Sequence, residues 1–338
     1  METEADLSAP VQLRRRSSSF SDDYSVQKTN DDASQSKLAA VQLGYWKDDF
    51  LKRFVSHSVD ETQVARRDPE ISIGYWSRVA VIRHFLSEFL AKFGDQTQII
   101  SLGCGFDTLY WRLKHEGVKF ARYVEVDFSS VTAKKIRVLS KPSSADLVKL
   151  FSKQPEESQH ADLHAGDYHL VGADLRQLDE VRGKLEAAGV DWKAPTIVIA
   201  ECVLIYMAVS QSEALLSELA KAFDNIALLS YEQVNTADEF GRIMVENLEN
   251  RGLRLMGLPA CANIETQKDR LRAAGFTHGH VMDMQEAYVK LLKPEEKKRV
   301  TAIEGLDEME LLRQLQEHYS ISYVAKAPNA ETYGLPKL

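Results

Sequence analysis

The chain has 338 residues, 44% of them hydrophobic, which is enough apolar material for one large α/β core or two small ones. Its 50 Asp and Glu against 42 Lys and Arg leave a formal net charge of -8, which argues against a surface built to hold nucleic-acid phosphates and favours a small-molecule or protein substrate. The three scattered cysteines, Cys104, Cys202 and Cys261, form no C-x-x-C pair, so neither a disulfide framework nor a zinc site is suggested, and a metal-free protein of the reducing cytoplasm is expected.

Residues 1–35 mix acids and serines with the run Arg14-Arg15-Arg16-Ser17-Ser18-Ser19 and carry few apolar anchors. They are expected to form a disordered Ser-rich tail without catalytic weight, since they bury too little to offset the entropy of ordering. No apolar signal segment precedes the folded part. From Lys37 the anchors Val41, Tyr45, Trp46, Phe50 and Phe54 begin a single domain over 36–330, opened by a helical lid. Tyr75, Val79, Ile82, Phe85, Leu86, Phe89 and Phe93 recur at helical spacing, and Gly94 follows at the expected stop. Short apolar runs then predict strands at Gln98–Leu102, Tyr123–Val126, Leu170–Ala173, Thr196–Ala200 and Ile226–Ser230, separated by helical stretches such as Ser210–Phe223. Strand and helix alternate, which predicts an α/β fold with a mostly parallel sheet and helices on both faces. A loop-rich insertion is expected at 141–166, and helical segments within 285–318 lie between two last strands, His278–Met284 and Tyr319–Lys326. A C-terminal tail follows over 331–338. The longest apolar stretch, Thr196 to Val209, is broken by Glu201 and is shorter than the ~20 residues of a spanning helix, so no membrane partner is expected.

Four motifs fall at the carboxyl ends of successive predicted strands, the edge where open α/β sheets bind ligands. The first is Ser101-Leu102-Gly103-Cys104-Gly105-Phe106-Asp107-Thr108, whose glycines allow a tight turn and close approach of backbone to ligand. The second is Glu125-Val126-Asp127, where an acid can accept hydrogen bonds from both hydroxyls of an adenosine ribose. Glu125 and Asp127 share a strand face, and Asp127 is preferred as the more terminal. In the third, Gly172-Ala173-Asp174-Leu175-Arg176, Asp174 is placed to accept from an adenine amine. In the fourth, Ala200-Glu201-Cys202-Val203-Leu204-Ile205-Tyr206-Met207, Glu201 is placed to hold an ammonium. A dinucleotide dehydrogenase would share the first two motifs, but its third glycine position is Thr108 here.

Beyond the fold, the sequence resembles the leucine carboxyl methyltransferases from about residue 35 to about residue 326. The resemblance rests on Lys37 with Gly44-Tyr45-Trp46, on Pro69-Glu70-Ile71 with Gly74-Tyr75 and Arg78, on the four strand-end motifs, on Tyr231-Glu232-Gln233-Val234-Asn235 and on Leu306-Asp307-Glu308-Met309-Glu310-Leu311-Leu312. It implies a class I S-adenosylmethionine-dependent methyltransferase fold, with the cofactor and its product S-adenosyl-L-homocysteine held by Lys37, Arg78, Gly103, Asp127, Asp174, Leu175 and Glu201. It also implies the partner: the catalytic subunit of type 2A protein phosphatases, esterified on the α-carboxylate of its terminal leucine in a modification that regulates holoenzyme assembly. Arg78, Tyr206 and Gln233 are then the candidates for positioning the acceptor, with Lys37 and Arg78 open between donor and acceptor carboxylates. A monomer is expected. Two other functions remain open at this point: carboxyl methylation of a modified tRNA base, as in a sister group, and a phosphatase-binding scaffold without turnover.

Overall fold

A computed structural model describes residues 9–55, 67–326 and 333–338, with side chains from residue 23 onward. In chain order its helices are α1 (Ala9–Gln42), α2 (Pro69–Phe93), α3 (Leu109–His115), α4 (Ser129–Leu139), α5 (Ala145–Val148), α6 (Leu178–Ala187), α7 (Val209–Ala222), α8 (Glu239–Glu249), α9 (Ile264–Ala274), α10 (Met284–Leu291), α11 (Pro294–Glu304) and α12 (Met309–Glu317). The strands are β1 (Gln98–Leu102), β2 (Arg122–Asp127), β3 (Glu156–Ser158), β4 (Asp162–Ala165), β5 (Tyr168–Gly172), β6 (Thr196–Glu201), β7 (Ile226–Gln233), β8 (His278–Asp283) and β9 (Tyr319–Lys326).

They form one sheet in the order β3-β4-β5-β2-β1-β6-β7-β9-β8. Its centre, β5-β2-β1-β6-β7, is parallel, and the flanking strands pair antiparallel. From β1 the chain moves outward to β2 and β5, then returns to the other side of β1 as β6 and β7. That reversal opens a crevice at the strand ends between β1 and β6, where ligands bind in such sheets. Register brings the motifs to one edge: Leu102 pairs with Val126 and with Ala200, Asp127 with Gly172, and Glu201 with Tyr231. The central strands are buried on both faces and so read as continuous apolar runs. Along β1, Ile99 enters one core cluster, while Ile100 and Leu102 enter the other.

Two expectations are corrected. Residues 141–166 are more than a loop: they hold α5 and the strands β3 and β4, which extend the sheet beyond β5. The exposed, polar Glu156-Glu157-Ser158 hid β3, and β4 is only the four residues Asp162-Leu163-His164-Ala165. The N-terminal segment is also not a disordered tail over its described part, for α1 begins at Ala9; residues 1–8 and the side chains of the Arg14–Ser19 run lie outside what is described. Apolar packing anchors the end of this helix, where Leu38 packs with Leu51 and Val55. Farther up, polar side chains one or two turns apart do the anchoring. Asp23 meets Arg176, Gln27 meets Ser130 and Asn30 meets the backbone of Phe106. At the other terminus Tyr333 packs on Phe89 and Phe93, and the Leu338 N–H donates to the Thr277 carbonyl, so residues 333–338 of the C-terminal tail dock on the domain.

Candidate active site

All nine residues singled out from the sequence line one cavity of about 600 Å³: Lys37, Arg78, Gly103, Asp127, Asp174, Leu175, Glu201, Tyr206 and Gln233. The size suits a single small-molecule ligand with room for an acceptor group, since such pockets span roughly 300–1,000 Å³.

The glycine turn forms its floor. Gly103 and Gly105 sit at φ +59° and +49°, in the left-handed region that other residues disfavour. A Cβ on Gly103 would lie 2.6 Å from Val203 Cγ2, and one on Gly105 would collide with Asn30 Oδ1. Beside the turn, Asp127 accepts from Gly105 N through Oδ2 and from Phe128 N through Oδ1, both at 2.7 Å. Burial pushes its pKa up, and the two N–H bonds oppose the rise. Its strand neighbour Glu125 is fully buried and occupied by Lys135 and the Tyr168 hydroxyl, each at 2.6 Å. Only Asp127 of the two lines the cavity.

Glu201, at the end of β6, collects the cations. Lys37 Nζ lies 3.0 Å from Glu201 Oε1 and 3.2 Å from Asp107 Oδ2. Arg78 pairs with Glu201 Oε1, and its guanidinium stacks over Tyr231 at 4.5 Å from the ring centre. Burial works to raise the Glu201 pKa, but Arg78 and Lys37 outweigh it and hold the carboxylate ionised. For Lys37 burial works to lower the pKa, and Glu201 with Asp107 reverses that. The site therefore holds two cations and two carboxylates largely shielded from water on the cavity wall, a set that can exchange partners with the carboxylate and ammonium of a zwitterionic ligand.

Asp174 is held by Arg176, whose Nε and Nη2 both reach it at 2.8 Å, while the same guanidinium grips Asp23 of α1 at 2.8 and 2.9 Å. Leu175 is buried beside them. On the opposite wall Gln233 is buried, its Oε1 without a hydrogen-bond partner, and Tyr206 is half-buried against the same cavity. Sequence reasoning missed Asn30, and it quoted Arg176 and Tyr231 within motifs without giving either a role at the site. A helical spacing of polar residues from Asp23 through Gln27 and Asn30 to Lys37 was the available signal for the first.

Comparison with known proteins identifies the family. The family model for leucine carboxyl methyltransferase matches residues 25–220. Probable leucine carboxyl methyltransferase 1 of Caenorhabditis briggsae is 51% identical over 322 residues, 95% of this chain and 97% of its own. The chain belongs to the leucine carboxyl methyltransferase family. Leucine carboxyl methyltransferase 1 of Rattus norvegicus is 38% identical over 92% of this chain and 95% of its own. Human tRNA wybutosine-synthesizing protein 4 is 36% identical over 88% of this chain, which spans 43% of that protein. Among solved structures, a putative methyltransferase from Thermobifida fusca superposes with a TM-score of 0.51 at 14% identity, over 87% of this chain and 94% of its own, and shares the fold. As a member of this family, with a class I fold, the chain is an S-adenosylmethionine-dependent carboxyl methyltransferase. Among the described residues no helix is long and apolar enough to cross a membrane, and no group of three His, Cys, Asp or Glu is placed to hold a metal ion.

Proposed function

We propose that this enzyme esterifies the α-carboxylate of the leucine that ends the catalytic subunit of type 2A protein phosphatases, a modification that regulates holoenzyme assembly. The observation that carries the reading is the convergence of Lys37 and Arg78 on Glu201 in a buried site at the strand ends of a family member. The residues present fit the donor: glycine backbone at the floor, an acid at each neighbouring strand end, and paired cations for a carboxylate. Bound there, S-adenosylmethionine would supply an activated methyl group on a sulfonium.

The chain's own residues then do the following. Asp127 accepts from ribose hydroxyls, Asp174 from the adenine amine, and Leu175 packs beside the ring. Glu201 holds the donor's ammonium, and Lys37 and Arg78 hold its carboxylate, with Arg78 able to reach the acceptor carboxylate as well. Tyr206 and Gln233 position the acceptor tail. No general base is required, because a carboxylate is already ionised at neutral pH. The contribution of the site is alignment and exclusion of water, for which the buried Gln233 and the largely shielded Glu201 and Arg78 are suited.

Incubation with methyl-labelled donor and the intact phosphatase tests this: base-labile label should appear on the catalytic subunit. The resemblance to the human wybutosine-synthesizing protein supports a second reading, methylation of a modified tRNA base, against which the net charge of -8 weighs. Label on tRNA instead of the phosphatase would select it.

A further inference from the structure

We propose that Glu232 is a positioning residue for methyl transfer, its carboxylate fixing the turn 202–206 that carries Val203 and Tyr206 into the cavity. The inference rests on the reading of that cavity as the transfer site.

Tyr231 and Gln233 line the cavity, so Glu232 between them projects to the other face of β7. It is 2% exposed. Its Oε1 accepts from Val203 N at 3.1 Å and from Leu204 N at 2.9 Å, and its Oε2 from Ile205 N at 3.2 Å. One carboxylate thus satisfies the successive N–H groups that open the short helical turn Leu204–Tyr206, as an N-terminal cap does. The turn needs such an anchor. The chain leaves β6 through Cys202 at φ +55°, a left-handed conformation uncommon outside glycine, and Val203 fills the space that a Cβ on Gly103 would need, its Cγ2 2.6 Å from that position. A shift of this turn moves the Tyr206 wall, on the acceptor side of the cavity.

The surroundings make the group pH-sensitive. Facing it are the cation Arg270 of α9, Cys202 and Tyr206 of the turn, and Cys261 of the loop before α9. Burial pushes both thiols up to about 12 and the Tyr206 phenol well above its usual value, so these three stay neutral near pH 7. Burial likewise raises Glu232 to about 7, against the three N–H bonds and Arg270. Its folded pKa lies above its unfolded one, so the folded state holds the extra proton and stability declines as pH rises from about 4.5 through 7. The anchoring anion is therefore retained at a cost to stability, as expected of a group that serves function. None of the described cavity-lining residues is a histidine, so no imidazole there competes for a titration near neutrality.

The test compares wild type with Glu232→Gln and Glu232→Asp in the full chain. Glu232→Gln turns an N–H donor toward the turn; its kcat should fall about tenfold or more, since small misplacements are costly in group transfer, with the donor dissociation constant within about threefold. Wild-type kcat should show an acid limb centred near pH 7; Glu232→Asp should keep a limb at reduced kcat, and Glu232→Gln should lack it. Amide hydrogen exchange of residues 203–205, which needs no acceptor, should be faster in Glu232→Gln at pH 8 by about tenfold. Unchanged exchange, or an acid limb identical in wild type and Glu232→Gln, overturns the proposal. Absence of label with the wild type while exchange responds as stated overturns the acceptor assignment instead.

Discussion

A buried carboxylate between two cations is stable only as a set, because removing one partner strands the others without water. Glu201 is such a residue, with Lys37 and Arg78 both on its Oε1. Replacing it by alanine leaves two buried cations in mutual repulsion and removes the proposed ammonium acceptor. Replacing Asp127 by alanine releases Gly105 N and Phe128 N and removes the proposed ribose acceptor. Each charge-assisted contact contributes about 1.5–3 kcal/mol, so each substitution should weaken donor binding by roughly 10- to 150-fold in calorimetric titration. Unchanged affinity in both folded variants would remove the cofactor assignment. Arg78→Lys is a sharper probe of geometry. An ammonium keeps the charge but loses the planar grip and the stacking over Tyr231, so kcat/KM should fall about tenfold or more while the far-ultraviolet spectrum is unchanged.

At the scale of elements, the central strands were legible because burial on both faces leaves near-continuous apolar runs, as in Ile226-Ala227-Leu228-Leu229 of β7. The strand-end motifs were legible because a short turn fixes which residue reaches the crevice. The helix α1 was not, because pattern reading looks for an apolar stripe, and over Asp23–Asn30 the stripe is polar and meets polar partners. Those partners exist only once the glycine turn, α4 and Arg176 are assembled, so the polar spacing from Asp23 to Lys37 shows a helix face but not what it meets. This changes what a truncation should do. A chain lacking residues 1–30, harmless if that segment were a bare tail, loses Asp23, Gln27 and Asn30 from the cavity rim while the main core stays intact. We expect donor affinity to fall about tenfold, the equivalent of one or two hydrogen bonds, with a nearly unchanged melting temperature. Asn30→Ala alone should account for a part of it, about two- to tenfold. Full affinity in the truncated protein would mean that α1 contributes nothing to retention.

For the whole molecule, the fold sets what kind of acceptor can react. The reactive edge lies where parallel strands from both sides of β1 end, and α1, α2 and the 202–206 turn wall it in, so an acceptor group must reach in from outside. A free chain end can do so, whereas a side-chain carboxylate on a folded surface is held too close to its own backbone. If the phosphatase tail is the acceptor, as proposed, amidating its C-terminus or deleting its last leucine should abolish labelling, with other carboxylates of the substrate left unmodified. The amide offers no anionic oxygen to attack a sulfonium. The shortened tail keeps an anion but stops short of the methyl group, where a misplacement of ~1 Å already costs about a hundredfold. The two substrates separate chemistry from reach, because donor binding to the enzyme should be the same in the presence of either. Label that persists on the amidated subunit, or that resists mild base and so is not an ester, would sink the C-terminal acceptor while leaving the methyltransferase fold and its donor site in place.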